Sequence, residues 1–522
     1  MGPAVSLLVV CKDSVQTIDR CLASLVEQDL PSVRIVVQDG GSRDGTLERL
    51  RSWGDRIDLV SEPDRDQNEG FLKGLRRCRG EVVGFCWADE TLLPDACSWA
   101  IRELAARPEV AAVYGDFIET DAAGEGERCV EYPEWDFERV YTYEFIPPVC
   151  ASFFRRVAID DYLRIAPLAP ACTEYLLWVG VGSLHPIVHV GKPVARYARH
   201  AGQLSMSPVR MARYAPQLAE AIERLAADPS MPELVRRKRS RAIGNVHLWA
   251  AQWLHESCGA PAEGVEQLGS ALRQDVDPAW VATAAWNCFR HSFARGEGVL
   301  VLDWLRVLDE SRFPIVGAEY ARALACLQRG DAHGAATAEL DLAGESQTDA
   351  LLRLVPDLVR ALQDAGRRDD AERALGLLQR LAERRNDVAF GLSLVLGTLG
   401  RIEEASVCAA RHVAGQPGHE EGRLWHRQLQ VLQCARHPVT RRCLSSGDSE
   451  LPVEEAGRIG DLVWRLVGDP GLAERASPEA RPSLRRIVAA FRHTAEETEA
   501  DEIAPILRAL EANLSSPRPP AA

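Results

Sequence analysis

Two regimes of hydrophobic patterning divide the chain. Over the first 120 residues, short apolar runs (5–10, 33–37, 57–60, 82–86 and 110–114) alternate with amphipathic stretches. The runs have the length and β-branched content of buried strands, and the stretches at 17–27, 47–53, 69–77 and 95–106 carry apolar residues at helical spacing. In the first of these, Ile18, Cys21, Leu22 and Leu25 fall on one face. Strand and helix alternating through short connections predict an α/β domain with a mostly parallel sheet. The loops that follow the strands then gather at one sheet edge, where such sheets bind their ligands. Asp39, Asp64 and the pair Asp89-Glu90 follow those strands and are expected to converge. The last strand is expected to end at Gly115-Asp116.

Past about residue 205 the strand signal stops, and Ala, Leu, Arg and Glu recur at helical spacing. Glycines at 259, 296, 330, 366 and 400 each close one helical pattern and precede the next, at spacings of 37, 34, 36 and 34. After three of them an alanine stands at the sixth place: Ala335, Ala371 and Ala405. Glycine suits the turn between antiparallel helices and alanine lets the pair pack closely, so an all-α repeat array is predicted. The expected division is 1–205 for the α/β domain and 206–245 for a helical linker. Repeats follow over 246–445, C-terminal helices over 446–514 and a disordered tail over 515–522.

Composition narrows the partners. A net charge of −15 over 522 residues argues against nucleic acid as a partner. The 14 cysteines show no paired framework and fit a reducing compartment. No leader or transmembrane span is visible, so the expectation is a cytoplasmic protein, peripheral at most to the inner face of the membrane. The basic run at 236–241 suits either an anionic lipid or, more commonly, a solvated helix face.

The chemistry concentrates at 80–94, where an apolar strand ends in Asp89-Glu90 before Pro94. Adjacent carboxylates there suit a hard cation, and equally a helix cap. Neither a GxGxxG motif nor a Walker lysine motif occurs, so nicotinamide and P-loop chemistry have no support. Five loops occur in order. They are Ser6-Leu-Leu-Val-Val10, Asp39-Gly-Gly-Ser-Arg-Asp-Gly-Thr46, Ser61-Glu-Pro-Asp-Arg-Asp-Gln67 with Lys73-Gly74, Gly80-Glu-Val-Val-Gly84 running into Ala88-Asp-Glu90 and Leu93-Pro94, and Val113-Tyr-Gly-Asp116. Together they resemble family 2 glycosyltransferases of the A-type fold over about residues 4–205, and the helical half resembles degenerate tetratricopeptide repeats.

The resemblance implies an A-type (nucleotide-diphospho-sugar transferase) domain that moves a sugar from a nucleoside-diphosphate donor to an acceptor hydroxyl with inversion. The setting it implies is surface polysaccharide or glycoconjugate biosynthesis. It assigns donor contacts to Asp39, Asp64, Arg65, Lys73 and Asp89, and a Mg²⁺ or Mn²⁺ ion to Asp89, Glu90 and His200. Glu90 stands where relatives usually carry aspartate. Glu174 falls on the catalytic base, ahead of Asp160 and Asp161, and Leu176 replaces a common acid. Acceptor selection is expected among Tyr132, Trp135, Tyr141, Tyr143 and loop 165–172. The acceptor is a saccharide, lipid-linked or protein molecule, and the repeats offer a surface for a protein partner. Two rival readings are a protein or peptide glycosyltransferase whose repeats grip the polypeptide, and an inactive scaffold, the latter supported by Glu90 and Leu176.

Overall fold

The computed structural model describes residues 4–121, 124–125, 128–166, 173–200, 208–343, 348–445, 451–469, 472, 480–498, 500 and 502–515. The expected tail beyond 515, most of loop 165–172 and the boundary at 205 lie outside the described residues. Internal contacts divide the chain into two units, 1–285 with 306–313, and 286–305 with 314–522.

The first unit is built on a nine-stranded sheet. Its strands are β1 (Val5–Cys11), β2 (Val33–Asp39), β3 (Asp58–Ser61), β4 (Val82–Trp87), β5 (Thr91–Leu92), β6 (Ala112–Thr120), β7 (Arg128–Val130), β8 (Ser152–Arg155) and β9 (Ile187–Ala198). The order is β3-β2-β1-β4-β8-β6-β9-β5, with β7 on β6. The four strands β3, β2, β1 and β4 are parallel, as the βα alternation predicts. Beyond them β8 runs antiparallel to both neighbours, so the sheet is mixed. Seven helices accompany the strands: α1 (Ile18–Val26), α2 (Thr46–Ser52), α3 (Gln67–Arg77), α4 (Ala96–Ala106), α5 (Phe137–Tyr141), α6 (Arg156–Ile165) and α7 (Thr173–Gly182).

Alternation along β1 sends its side chains into two cores. Leu7 and Val9 pack with α1, α2 and α4, while Leu8 and Val10 pack with α3, α6 and α7. The second core also takes in residues far beyond 205. Leu218, Ile222 and Leu225 of α8 (Pro208–Ala227), and Ile243 and Val246 of α10 (Arg239–Glu256), join it, with α9 (Glu233–Arg237) between them. Tyr141 donates to the Val235 carbonyl at 2.6 Å and Asn245 donates to that of Thr142 at 2.8 Å. The stretch expected to link two domains is thus part of the first unit's core. Its amphipathic pattern signals burial without saying against what.

Asp116 also differs from expectation. The strand it was expected to end continues to Thr120, and Asp116 lies inside it at an irregularity in the β6–β9 register. Its buried carboxylate accepts from the Tyr132 amide at 2.9 Å and contacts His189 Nε2 at 2.9 Å. The basic run is largely engaged. Lys238 pairs with Glu138, Arg239 with Glu223 and Arg241 with Asp275. Three of the run's five cations are thus paired with acids.

Among the described residues the rest of the chain is helical: α11 (Pro261–Ala271), α12 (Pro278–Arg295), α13 (Gly298–Glu310), α14 (Ala318–Gln328), α15 (Ala332–Ala343), α16 (Thr348–Asp364), α17 (Arg368–Arg384), α18 (Asn386–Thr398), α19 (Ile402–Gly415) and α20 (Glu420–Arg436), with further helices up to Ser515. The glycines at 259, 296, 330, 366 and 400 all adopt the left-handed backbone, with φ between 63° and 76°. Ala335, Ala371 and Ala405 are buried, one at the start of each following helix. In two of these turns an arginine reaches the acid three residues on. Arg367 meets Asp370, which also holds Arg373, and Arg401 meets Glu404. No helix among the described residues is long and apolar enough to cross a membrane.

Candidate active site

Register places the edge residues side by side. Cys11 of β1 faces Asp39 of β2, Asp39 faces Ser61 of β3, and Val10 faces Trp87 of β4. Lys12, Gly40, Asp64 and Asp89 follow these strand ends, so the predicted convergence of the acids is what the sheet produces.

Each acid has a distinct environment. Asp39 is completely enclosed. One carboxylate oxygen accepts from the Ser42 hydroxyl, and the other from the amides of Gly41 and Ser42 at 3.1 Å and from Ser61 Oγ at 2.6 Å. With both oxygens engaged, its visible work is to shape the 40–42 loop. A base contact by Asp39 requires Ser42 or Ser61 to release an oxygen. Asp44 holds the next turn, accepting from the Thr46 amide and hydroxyl and from the Val15 amide.

Asp64 is held in place by the absence of side chains. A Cβ at Gly40 would lie 2.5 Å from its Oδ2, and one at Gly70 would lie 2.9 Å away. Lys12 Nζ stands 3.5 Å from Oδ1, with half its side chain exposed. Lys12 escaped the sequence reading of donor contacts, although it immediately follows β1 in a chain with four lysines. Arg65 is exposed and Lys73 half-buried, and both are already paired: Arg65 with Glu69 at 2.8 Å, and Lys73 with Glu62 and Glu69 at 3.3 Å. The bond from Arg65, reinforced by Lys73, draws the Glu69 carboxyl down to about 2.

The adjacent acids diverge. Asp89 is partly exposed and its Oδ2 lies 2.9 Å from His200 Nε2. Glu90 turns inward, where its Oε2 accepts from the Trp87 amide at 2.9 Å and its carboxyl bonds with Cys150. Burial pushes that carboxyl well above the usual carboxylate range, and the charge of Asp89 adds to it. Glu174 is exposed near the start of α7. The helix is anchored behind it by Tyr175, which donates to the Tyr141 carbonyl at 2.7 Å, and by Trp178, which donates to that of Pro147 at 2.9 Å. Glu174 lies within electrostatic reach of Glu90, Cys150, Tyr132 and Tyr197. Burial pushes the Tyr197 phenol up, and the charges of Glu90, Glu174 and Asp89 add to the effect. Cys150 and Tyr197 thus share the electrostatic neighbourhood of Glu90 and Glu174, and only the fold reveals it. Asp160 and Asp161, the rivals to Glu174, are spent on Arg156 and on Arg164 with His185.

The donor set bears on a metal. Among the described residues no three His, Cys, Asp or Glu side chains are grouped for an ion. Asp89 and His200 offer one carboxylate and one imidazole at the surface, while the Glu90 carboxyl is committed to Trp87 and Cys150. A small hard cation needs few protein ligands when substrate phosphates and water complete its shell, so the pair suits an ion shared with a diphosphate.

The Glycosyl transferase family 2 model matches residues 6–162. Over 150 residues the chain is 30% identical to the O-antigen biosynthesis protein RfbC of Myxococcus xanthus, covering 28% of this chain and 12% of that protein. Over 115 residues it is 27% identical to the chondroitin synthase of Escherichia coli, covering 22% of this chain and 17% of that protein. The chain thus spans under a fifth of either relative. Among solved structures, S. aureus TarS 1–349 in complex with UDP-GlcNAc aligns at 15% identity, covering 60% of this chain and 92% of that one, with a TM-score of 0.41. The mannosyltransferase PcManGT from Pyrobaculum calidifontis, in complex with GDP-Man and Mn²⁺, aligns at 18% identity, covering 60% and 88%, with a TM-score of 0.37. Scores this low assign no chemistry to this chain.

Proposed function

From the premise that residues 6–162 form a glycosyl transferase family 2 domain, we propose an inverting transferase that moves a sugar from a nucleoside-diphosphate donor to a saccharide acceptor hydroxyl, in the assembly of a polysaccharide or glycoconjugate. The observation that carries this reading is the contact between Asp89 and His200, 111 residues apart in sequence, with Glu174 in electrostatic reach of the same cluster. Glu174 is exposed and takes the proton from the attacking acceptor hydroxyl. Attack and departure on opposite faces of the anomeric carbon invert it without a covalent intermediate. Asp64, positioned by Gly40 and Gly70, and Lys12 beside it meet the nucleoside end of the donor. Arg65 and Lys73 reach the donor by exchanging Glu69 for it.

Asp89 and His200 would hold a Mg²⁺ or Mn²⁺ ion, which when bound stabilises the charge gathering on the departing diphosphate. Glu90 braces the turn that presents Asp89. The test is hydrolysis and transfer with a panel of UDP-, GDP- and dTDP-sugars, with Mn²⁺ or with EDTA. Release of nucleoside diphosphate that depends on Asp89 is expected. No release from any donor removes the proposal.

A further inference from the structure

The two serines that enclose Asp39 are not equivalent. Asp39 Oδ1 faces inward, with Cys11 Sγ at 3.8 Å and the Ser42 hydroxyl as its donor. Ser42 is buried, and its oxygen also accepts from the Asp13 amide at 2.8 Å, so it leaves Asp39 only by giving up two bonds. Oδ2 accepts from the amides of Gly41 and Ser42 and from Ser61 Oγ at 2.6 Å. Ser61 ends β3, the edge strand of the sheet, directly opposite Asp39, and it is exposed. Its hydroxyl makes no other bond among the described residues. The backbone beside it is fixed, since the Glu62 amide donates to the Asp39 carbonyl at 3.0 Å. The Ser61 hydroxyl can therefore leave Oδ2 by turning about χ1 alone, from one staggered well to another.

We propose that Ser61 selects the nucleobase of the donor: a ring N–H of the base takes its place on Asp39 Oδ2, and the released hydroxyl turns to donate to the carbonyl beside that N–H. The inference deepens the transferase reading and rests on it for direction. In that reading the diphosphate lies at the end of β4, beside Asp89. The order β3-β2-β1-β4 puts Ser61 three strand spacings away, about 14 Å, so the end of the donor remote from its sugar falls at β2 and β3. The chemistry then favours one class of base. A carboxylate only accepts, and a hydroxyl beside it is able to donate. Uracil and thymine carry a ring N–H between two carbonyls, so the match is met with either face of the ring down. Guanine has a carbonyl on one side only of its ring N–H. Cytosine and adenine have no ring N–H on that edge and offer an exocyclic amine set to one side. The donor class favoured is therefore a uridine or thymidine diphosphate.

The test is calorimetric titration of the full chain with UDP, dTDP, GDP, CDP and ADP in the presence of Mn²⁺. UDP and dTDP should bind about tenfold or more tightly than CDP and ADP. Ser61→Ala should shrink that ratio to about threefold or less, and Ser61→Thr, which keeps the hydroxyl, should preserve it. The readout is the ratio, because a serine that only held Asp39 in place would weaken all five alike. Melting temperatures check that both variants are folded, and Ser61→Cys gives a second reading should the alanine variant fail to fold. No binding of any diphosphate, no preference among the five, equal weakening of all five, or an unchanged ratio in folded Ser61→Ala overturns the proposal. Sugar-donor hydrolysis by the unmodified chain separates the two readings. A base preference that depends on Ser61, without hydrolysis, leaves this inference and removes the transferase. Hydrolysis without base preference does the reverse.

Discussion

The sheet edge of the first unit and the turns of the second handle charge in opposite ways. In the turns, partners are close in sequence: Arg367 and Arg373 each stand three residues from Asp370, and Arg401 stands three from Glu404. Such pairs can form with the turn, and they then hold its packing, since Arg401 also meets Glu372 and Asp370 also accepts from Gln328. At the edge, beside the local pairs of Glu69, two contacts join partners far apart. Asp89 meets His200 across 111 residues, and Lys12 meets Asp64 across 52. Those contacts exist only once the sheet is assembled, and they leave oxygens of Asp89 and a cation of Lys12 partly open to solvent. Accessible charges gathered where parallel strands end suit a ligand, whereas charges paired within a turn suit a joint.

Substitutions sharpen this contrast, beginning with the largest effect. Glu174→Gln should lower sugar transfer about 10²–10⁴-fold, measured as product formed per enzyme, with the melting temperature unchanged because the side chain is exposed. Asp89→Asn should cost about a hundredfold and weaken Mn²⁺ dependence, while Glu90→Gln, which still accepts from the Trp87 amide, should cost far less. Equal losses from the two would show that both acids do the same work.

In the second unit, Asp370→Ala should leave activity alone and destabilise by about 1–3 kcal/mol in urea melts. It strips a buried acceptor from Arg367, Arg373 and Gln328. Gly400→Ala should cost about 1–2 kcal/mol, since nothing lies within 4 Å of the new methyl and only backbone strain opposes it. Gly296→Ala should cost more, because the Arg367 guanidinium stands where the methyl would go.

The smallest effect concerns acid. Burial pushes Asp58 up, but bonds from Arg34 and Arg77 outweigh it and hold the carboxyl below its ordinary value. A lowered folded value stabilises above the unfolded pKa and is lost as pH falls through the folded one. The first unit should therefore weaken below about pH 4, and Asp58→Asn should flatten that part of the profile.

The sequence reading reached the sheet edge because parallel strands leave one choice for where their loops go. Asp64, Asp89 and the turn role of Asp44 were legible for that reason. The repeat glycines were legible because left-handed turns admit few other residues. The inward turn of Glu90 was not, since it depends on Cys150, which arrives from 60 residues away. Nor was the attachment of α8 and α10 to the first core, because an apolar helical stripe does not name its partner. The enclosure of Asp39 likewise depends on Ser61, a residue of another strand.

The five left-handed glycines carry a consequence for how such an array changes over time. A segment bounded by Gly366 and Gly400 brings the same corner geometry at both ends, φ 72° and 75°. Duplicating or deleting it rejoins like with like. A change by such a segment is therefore expected to leave a left-handed glycine at each surviving corner.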